Sequence, residues 1–424
     1  MRLFLLMLSF NLCANIGEHF GASTESIALS GQSSFAASDA TNSFYAPAML
    51  ADDMKTAYSY SEIAVQTDFK EINNIITTSP INSGDLSDSY GNVDTSEKMQ
   101  FFRTFHGSFP FIKSLNAKIN ISVFLPSSKL LEARTGDPYR PEYVMYTSRF
   151  NRTMGYFSYA QKLEHFNFSI GFLSGIQSNG ETFIVAKDNG SQTPSSGKMQ
   201  FNAKPSAAIN FSISKKSKWG QSYLSYQDEM KSKFENTARG FTPVGATINY
   251  NWDLSSMLFY DPITIRLGHR YKNLITTLEY QDWSGYKAPI LQMQAGNSST
   301  LVSSTLEENF STQWILSPKI GYVFNHFSFG FSYKPSPLKL KDGSSGNSVD
   351  TAFYSTSIGY KKAFSLFEQE LIFKSGFSYH LLETQTVTKD EKRENGTLGN
   401  KIGYPSYDIG GNVYALSIGL SWVI

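Results

Sequence analysis

The residues in this chain that could do chemistry are few, and their spacing points to binding and away from catalysis. The six histidines, at positions 19, 106, 165, 269, 326 and 380, show neither an HExxH pattern nor a paired metal-ligand spacing, and the single cysteine, Cys13, has no partner. No Gly-x-Ser-x-Gly elbow and no phosphate-binding glycine loop stands between strand and helix signals. What remains is a set of cations, Lys118, Arg266, Arg270, Lys334 and Lys374, with Glu279 as the clearest carboxylate beside them, all in stretches where apolar and polar residues alternate. An arginine in a low-dielectric pocket can grip a carboxylate through two parallel hydrogen bonds, so such a set could hold the anionic end of an amphiphile. It could equally line water or brace another part of the chain, the ordinary condition of inward polar residues in a barrel. No enzyme activity, metal or cofactor is expected.

Strands must position these residues. From 115 to 125 the odd positions read Leu, Ala, Ile, Ile, Val, Leu against Asn116, Lys118, Asn120, Ser122 and Phe124, and from 327 to 334 Phe327, Phe329, Phe331 and Tyr333 oppose Ser328, Gly330, Ser332 and Lys334. The last run sets Tyr414, Leu416, Ile418, Leu420, Trp422 and Ile424 against Asn412, Ser417, Gly419 and Ser421. Similar segments predict strands near 54-69, 99-110, 115-125, 150-163, 166-177, 200-213, 219-231, 262-272, 274-285, 313-324, 326-336, 352-364, 369-382 and 412-424. There are fourteen. The links after every even-numbered strand are short (Phe111 to Ser114, Glu164-His165, Ser214 to Lys218, Asn273, Asn325, Ser365 to Glu368), whereas the others are long, from Lys70 to Lys98 at the first to Glu383 to Gly411 at the last. An antiparallel transmembrane barrel with short turns on one side and long loops on the other needs this alternation; a soluble sandwich or propeller does not. The charge run from Lys389 to Glu394 reads as a solvated loop face.

Composition agrees. The chain of 424 residues carries 33 Phe and 24 Tyr but only 17% charged residues, and its mean hydropathy of -0.27 is what a wall apolar on one side and polar on the other averages to. Met1-Arg2 followed by the apolar run Leu3 to Phe10 reads as a signal peptide, here given as residues 1-14 with cleavage between 14 and 17 and with Cys13 discarded. A mature chain without cysteine suits an oxidising compartment. No stretch is apolar for the length of a spanning helix, so membrane residence must be through strands. Net charge is +1 with the signs interspersed, which argues against a nucleic-acid partner.

The run from Ala28, Ala-Leu-Ser-Gly-Gln-Ser-Ser-Phe-Ala-Ala-Ser-Asp-Ala, leads into Ser43-Phe-Tyr-Ala-Pro-Ala-Met-Leu-Ala. It resembles the N-terminal hatch of the FadL-type outer-membrane transporters of hydrophobic compounds, with Ala46 where that family has Asn, followed by Pro47 and Ala48. Asp261 to Gly268 resembles the family's Pro-x-x-x-x-x-Gly strand, Leu278 to Ser284 its acidic-Trp-Ser strand, and Ser317 to Tyr322 is a weaker match. Taken by themselves, Pro262 reads as a strand opener and Asp282-Trp283 as a rim pair with one edge of the indole wet.

The resemblance implies an all-β barrel of about fourteen strands (54-424) around a hatch (15-53), in the outer membrane of a Gram-negative bacterium, surrounded by lipid. Barrel assembly machinery would read the last strand, which here ends on Ile424 with Trp422 two before it. The implied activity is passive uptake of long-chain fatty acids or aromatic hydrocarbons: capture on the outer loops, transfer to a pocket, and release through a sideways gap when the hatch shifts. In the family the third strand bears that gap, and here it contains no internal Gly or Pro. Phe35, Phe44, Tyr45, Met49 and Leu50 are the hatch residues able to touch an apolar ligand, or simply to pack the plug; Arg266, Arg270, Lys118 and Lys374 are the candidate ligand-binding cations. Two rivals stay open: a porin for polar solutes, and a PorV-like shuttle or attachment protein that shares the fold without transporting.

Overall fold

The computed structural model describes residues 17-79, 87-96, 98-127, 142-146, 152-185, 197-244, 246-287, 292-296, 310-341, 348-366, 369-389, 401-402 and 406-424. The expected signal peptide, and all but Lys389 of the expected charge run, lie outside these residues.

The wall consists of β1 Ala57–Phe69, β2 Gln100–Ile112, β3 Ala117–Pro126, β4 Met154–Lys162, β5 Asn167–Val185, β6 Gly197–Ser217, β7 Gly220–Gln227, β8 Ile263–Tyr271, β9 Leu274–Asp282, β10 Trp314–Phe324, β11 Phe327–Lys334, β12 Phe353–Leu366, β13 Gln369–Thr388 and β14 Ser406–Val423. Each pairs antiparallel with the next, and β14 pairs antiparallel with β1 from Ala57↔Val423 to Phe69↔Gly411. The sheet therefore closes on itself as a fourteen-stranded barrel, which leaves no unpaired edge.

Period-two alternation sets the two faces. Along β10 buried and exposed residues alternate from Trp314 through Tyr322, and Ile320 and Tyr322 turn outward. Ile170, Phe172, Ile209, Leu267, Phe329 and Ile418 are likewise exposed, giving the wall an apolar outer girdle of the kind a bilayer covers. The inner face is polar: Ser61, His106, Asn120, Ser212, Thr264, Ser357 and Ser417 are buried. Among the described residues no helix is long and apolar enough to cross a membrane, which says nothing about crossing by strands.

Most strand positions agree with the alternation, and three differences are informative. The strand expected over 219-231 ends at Gln227, and a second strand starts at Met230. Where a loop was expected between the seventh and eighth strands, Met230–Val244 and Ala246–Asp261 form a long hairpin, the first of them lying parallel to the outer end of β5 from Phe234↔Ser178. Its β-branched and aromatic run, Thr-Ile-Asn-Tyr-Asn-Trp from 247, already favours strand once the chain turns back on itself. β13 and β14 also continue past their expected ends as a paired ribbon, to Thr388↔Ser406.

Candidate functional site

Residues 17-53 hold little regular structure: a π-helical turn at Gly17–Gly21, short helical turns at Thr24–Ile27 and Asn42–Tyr45, and a 3-10 helix over Pro47–Asp52. Their Ser, Asn and Asp side chains bond the local backbone instead, as short polar side chains do where no ladder is available. Ser23 and Ser26 cap the first turn reciprocally. Ser33 Oγ donates to Asn42 Oδ1 at 2.6 Å and Asn42 Nδ2 to the Ala36 carbonyl at 2.7 Å, while Ser34 Oγ donates to Asp39 at 2.7 Å. The Tyr45 hydroxyl accepts from Ala22 N–H and donates to the Gly17 carbonyl, and burial pushes its pKa up to about 12. Pro47 opens the 3-10 helix, where its missing N–H breaks nothing, and Ala48 N–H donates to Ser212 Oγ of β6 at 3.0 Å.

The candidate cations all meet this segment. Lys118 of β3 donates to the carbonyls of Asp53 and Lys55 at 2.8 and 2.6 Å. Arg266 of β8 bonds Glu279 of β9 at 2.9 Å and Glu18 at 3.4 Å, with its guanidinium 5.3 Å from the Phe44 ring centre. Arg270 donates to the Ser34 and Lys272 carbonyls, both at 2.9 Å. Lys374 of β13 lies 2.6 Å from Glu25 and 3.6 Å from Asp39, and Lys319 of β10 reaches Glu279 and the Gly31 carbonyl. Lys334 is buried as well. Further contacts come from β1, β2, β7 and β12: Thr24 N–H to Ser61, His106 to Ala22, Gln227 to Glu18, and Ser357 to the Ala28 carbonyl. Because a carbonyl only accepts, His106 carries its proton on Nε2, and Nδ1 accepts from Ser122 at 2.9 Å.

The expected apolar residues of the segment are buried in two groups. Phe44 packs edge-on to Phe124 and Tyr156 (5.4 and 4.7 Å), with Tyr45 in the same cluster. Phe35 lies 5.1 Å from Tyr223, in a second cluster with Leu29, Ala46, Met49 and Ile275; Leu50 is fully buried. A close approach to the wall accompanies both. Cβ atoms at Gly330 and Gly359 would fall 2.4 Å from the Leu29 backbone and 2.2 Å from Ala28 Cβ, and those at Gly376 and Gly419 would each fall 2.7 Å from Thr24, so adjacent strands β11 to β14 present a track without side chains.

Further along the barrel, at the ends of the strands that carry the long loops, the interior holds an apolar cluster, with the buried Asp350 and Lys389 beside it. Phe69 stacks on Tyr143 at 4.0 Å, and Phe353 on His380 at 4.7 Å with His19 beside them; Leu382, Val387, Ile409 and Val413 complete the group. Trp283 corrects the rim expectation. It is 1% exposed, packs 5.8 Å from both Tyr260 and Tyr286, and donates to Gln281, because the hairpin and the 283-286 turn close over it.

The sequence reading did not single out Glu18, Glu25 and Asp39, the acids that meet the cations, nor the buried Arg152–Asp261 pair, with Arg152 4.8 Å above Phe259. A signal existed for the first three: they are carboxylates in a segment rich in Ser and Ala.

No protein-family model matches the sequence, and no curated protein does. Among solved structures the chain is similar to the Ralstonia pickettii toluene transporter TbuX (12% identity, TM-score 0.47, covering 96% of this chain and 99% of that one) and to the P. putida toluene transporter TodX (11% identity, TM-score 0.45, 96% and 98%). OmpT of Vibrio cholerae is similar at 9% identity and TM-score 0.29, over 88% of this chain and 98% of that one.

Proposed function

We propose that the protein is an outer-membrane barrel that takes up hydrophobic small molecules, with residues 17-53 as a plug that must shift for passage. One observation carries the reading: the interior at the long-loop end holds a buried aromatic and aliphatic surface (Phe69, Tyr143, Tyr146, Phe353, Ile409), where a channel for sugars or ions would keep water. An apolar solute gains by moving from one such surface to another and gains nothing in a water-filled pore. In this reading the cations brace the plug: Arg266 and Lys374 already hold carboxylates, so an anionic head group would have to displace one.

Whole cells expressing the protein should take up radiolabelled toluene or oleate faster than cells without it, and a disulfide tethering Ala48→Cys to Ser212→Cys should slow that uptake until reduced. Liposomes that pass sugars and ions freely with no effect on hydrophobic solutes would instead support the porin. Unchanged uptake together with loss of a secreted partner would support the shuttle.

A further inference from the structure

The wall is not bonded equally along its seams. β3 is paired on both sides, to β2 from Phe102↔Pro126 to Ile112↔Ala117 and to β4 from Ala117↔Gln161 to Phe124↔Met154. The seam between β10 and β11 differs. Its ladder runs only from Phe324↔Phe327 to Lys319↔Ser332 and then stops, although β10 continues to Trp314 fully paired with β9 and β11 stays paired with β12 to Lys334↔Phe353. Beyond the break the chains meet again: Gln313 N–H donates to the Pro337 carbonyl at 3.0 Å, and Phe310–Thr312 pairs with Leu338–Leu340. Residues 314-318 thus face 333-336 across an unladdered window.

Prolines sit on both borders, at 318, 335 and 337. A broken ladder facing hydrocarbon normally leaves costly unsatisfied N–H groups, and a proline has none to leave. The outer side of the window is apolar, with Trp314 and Leu316 exposed; inside, Ile315 and Leu338 belong to the buried cluster that contains Trp283 and Tyr260, beside the buried Ser317 and Lys334. At the base, Lys319 holds the Gly31 carbonyl, which ties the window to the plug.

We infer that the sideways passage between lumen and bilayer in this chain runs between β10 and β11, for an uncharged apolar solute, and not at the third strand. The inference rests on the uptake reading and adds its route. The test uses the full-length protein with Cys13→Ser and the pair Leu316→Cys with Pro335→Cys, bridged by a short bis-methanethiosulfonate that reductant removes. Bridging should slow toluene uptake at least tenfold, with recovery on reduction. The same bridge across β3 and β4, between Ile121→Cys and Phe157→Cys, should leave the rate within twofold. Recovery after reduction shows that the variant is folded; if the first pair does not assemble, Pro318→Cys with Tyr333→Cys gives the same readout. Uptake that survives bridging of the β10–β11 seam, or that is lost on bridging β3 to β4, overturns the route while leaving uptake standing. Absence of uptake before any bridging overturns the function itself, and the route with it.

Discussion

Lys374 Nζ lies 2.6 Å from Glu25 Oε2, joining the thirteenth strand to the N-terminal segment through side chains that are 5% and 7% exposed. Lys361 holds the other carboxylate oxygen at 2.8 Å. Burial by itself would raise the Glu25 carboxyl above its ordinary value of 4.5, but the two lysines outweigh it and hold it well below. A depressed carboxylate contributes stability that is present above its unfolded pKa and lost as pH falls through the folded one. Protease sensitivity of residues 17-53 should therefore stay low down to pH 4.5 and rise only in stronger acid. Glu25→Gln should be more sensitive already at neutral pH and show a weaker acid limb. Identical profiles for the two proteins would remove Glu25 from this role.

Arg266 and Arg270 should separate in a stability measurement. Arg266→Met leaves Glu18 and Glu279 buried with one partner fewer and should cost about 3-5 kcal/mol in denaturant unfolding, the range for breaking a buried ion pair from one side. Arg270, half-buried and bonded to two carbonyls, should cost about 1-3 kcal/mol. Because Arg266 is occupied by carboxylates of the protein, its replacement should weaken carboxylate ligands and their neutral analogues alike. A selective loss of the carboxylates would return Arg266 to ligand binding.

On the outer face, Ile121 stands between the inward Asn120 and Ser122. Ile121→Arg should destabilise insertion by about 2-4 kcal/mol if the strand crosses at mid-membrane. Unfolding titrations in lipid vesicles would show this, and an unchanged midpoint would mean that this face does not meet lipid.

The glycine track makes a reciprocal prediction. Gly359→Ala puts a methyl group against Ala28 Cβ and should release the segment to protease while the barrel remains heat-modifiable on a gel. Adding Ala28→Gly vacates the same space and should restore protection. Failure of the second change to rescue the first would show that the contact is incidental.

The wall was legible because period two is written residue by residue: Phe327, Phe329 and Phe331 point outward and Lys118, Arg266 and Lys374 inward, as their positions in the alternation require. The segment was legible only as composition. Its fold depends on Ser33, Asn42 and Asp39 meeting groups of no fixed sequence separation, and its carboxylates find cations more than two hundred residues away, as Glu18 finds Arg266. Trp283 was misplaced for a related reason. An aromatic residue just past a strand end reads as a rim residue unless the chain that folds over it, here from Tyr260 to Tyr286, is also known.

The seam between β1 and β14 joins the first and last wall strands, so it can form only after every other wall strand has been made. Residues 17-53 bond Ser61, Lys118, Arg266 and Lys374, on four of the strands that this seam closes into a ring, so the ring is cross-tied from inside as well as held along its ladders. A chain that lacked them would lose these cross-ties and need not keep the lumen of the intact one.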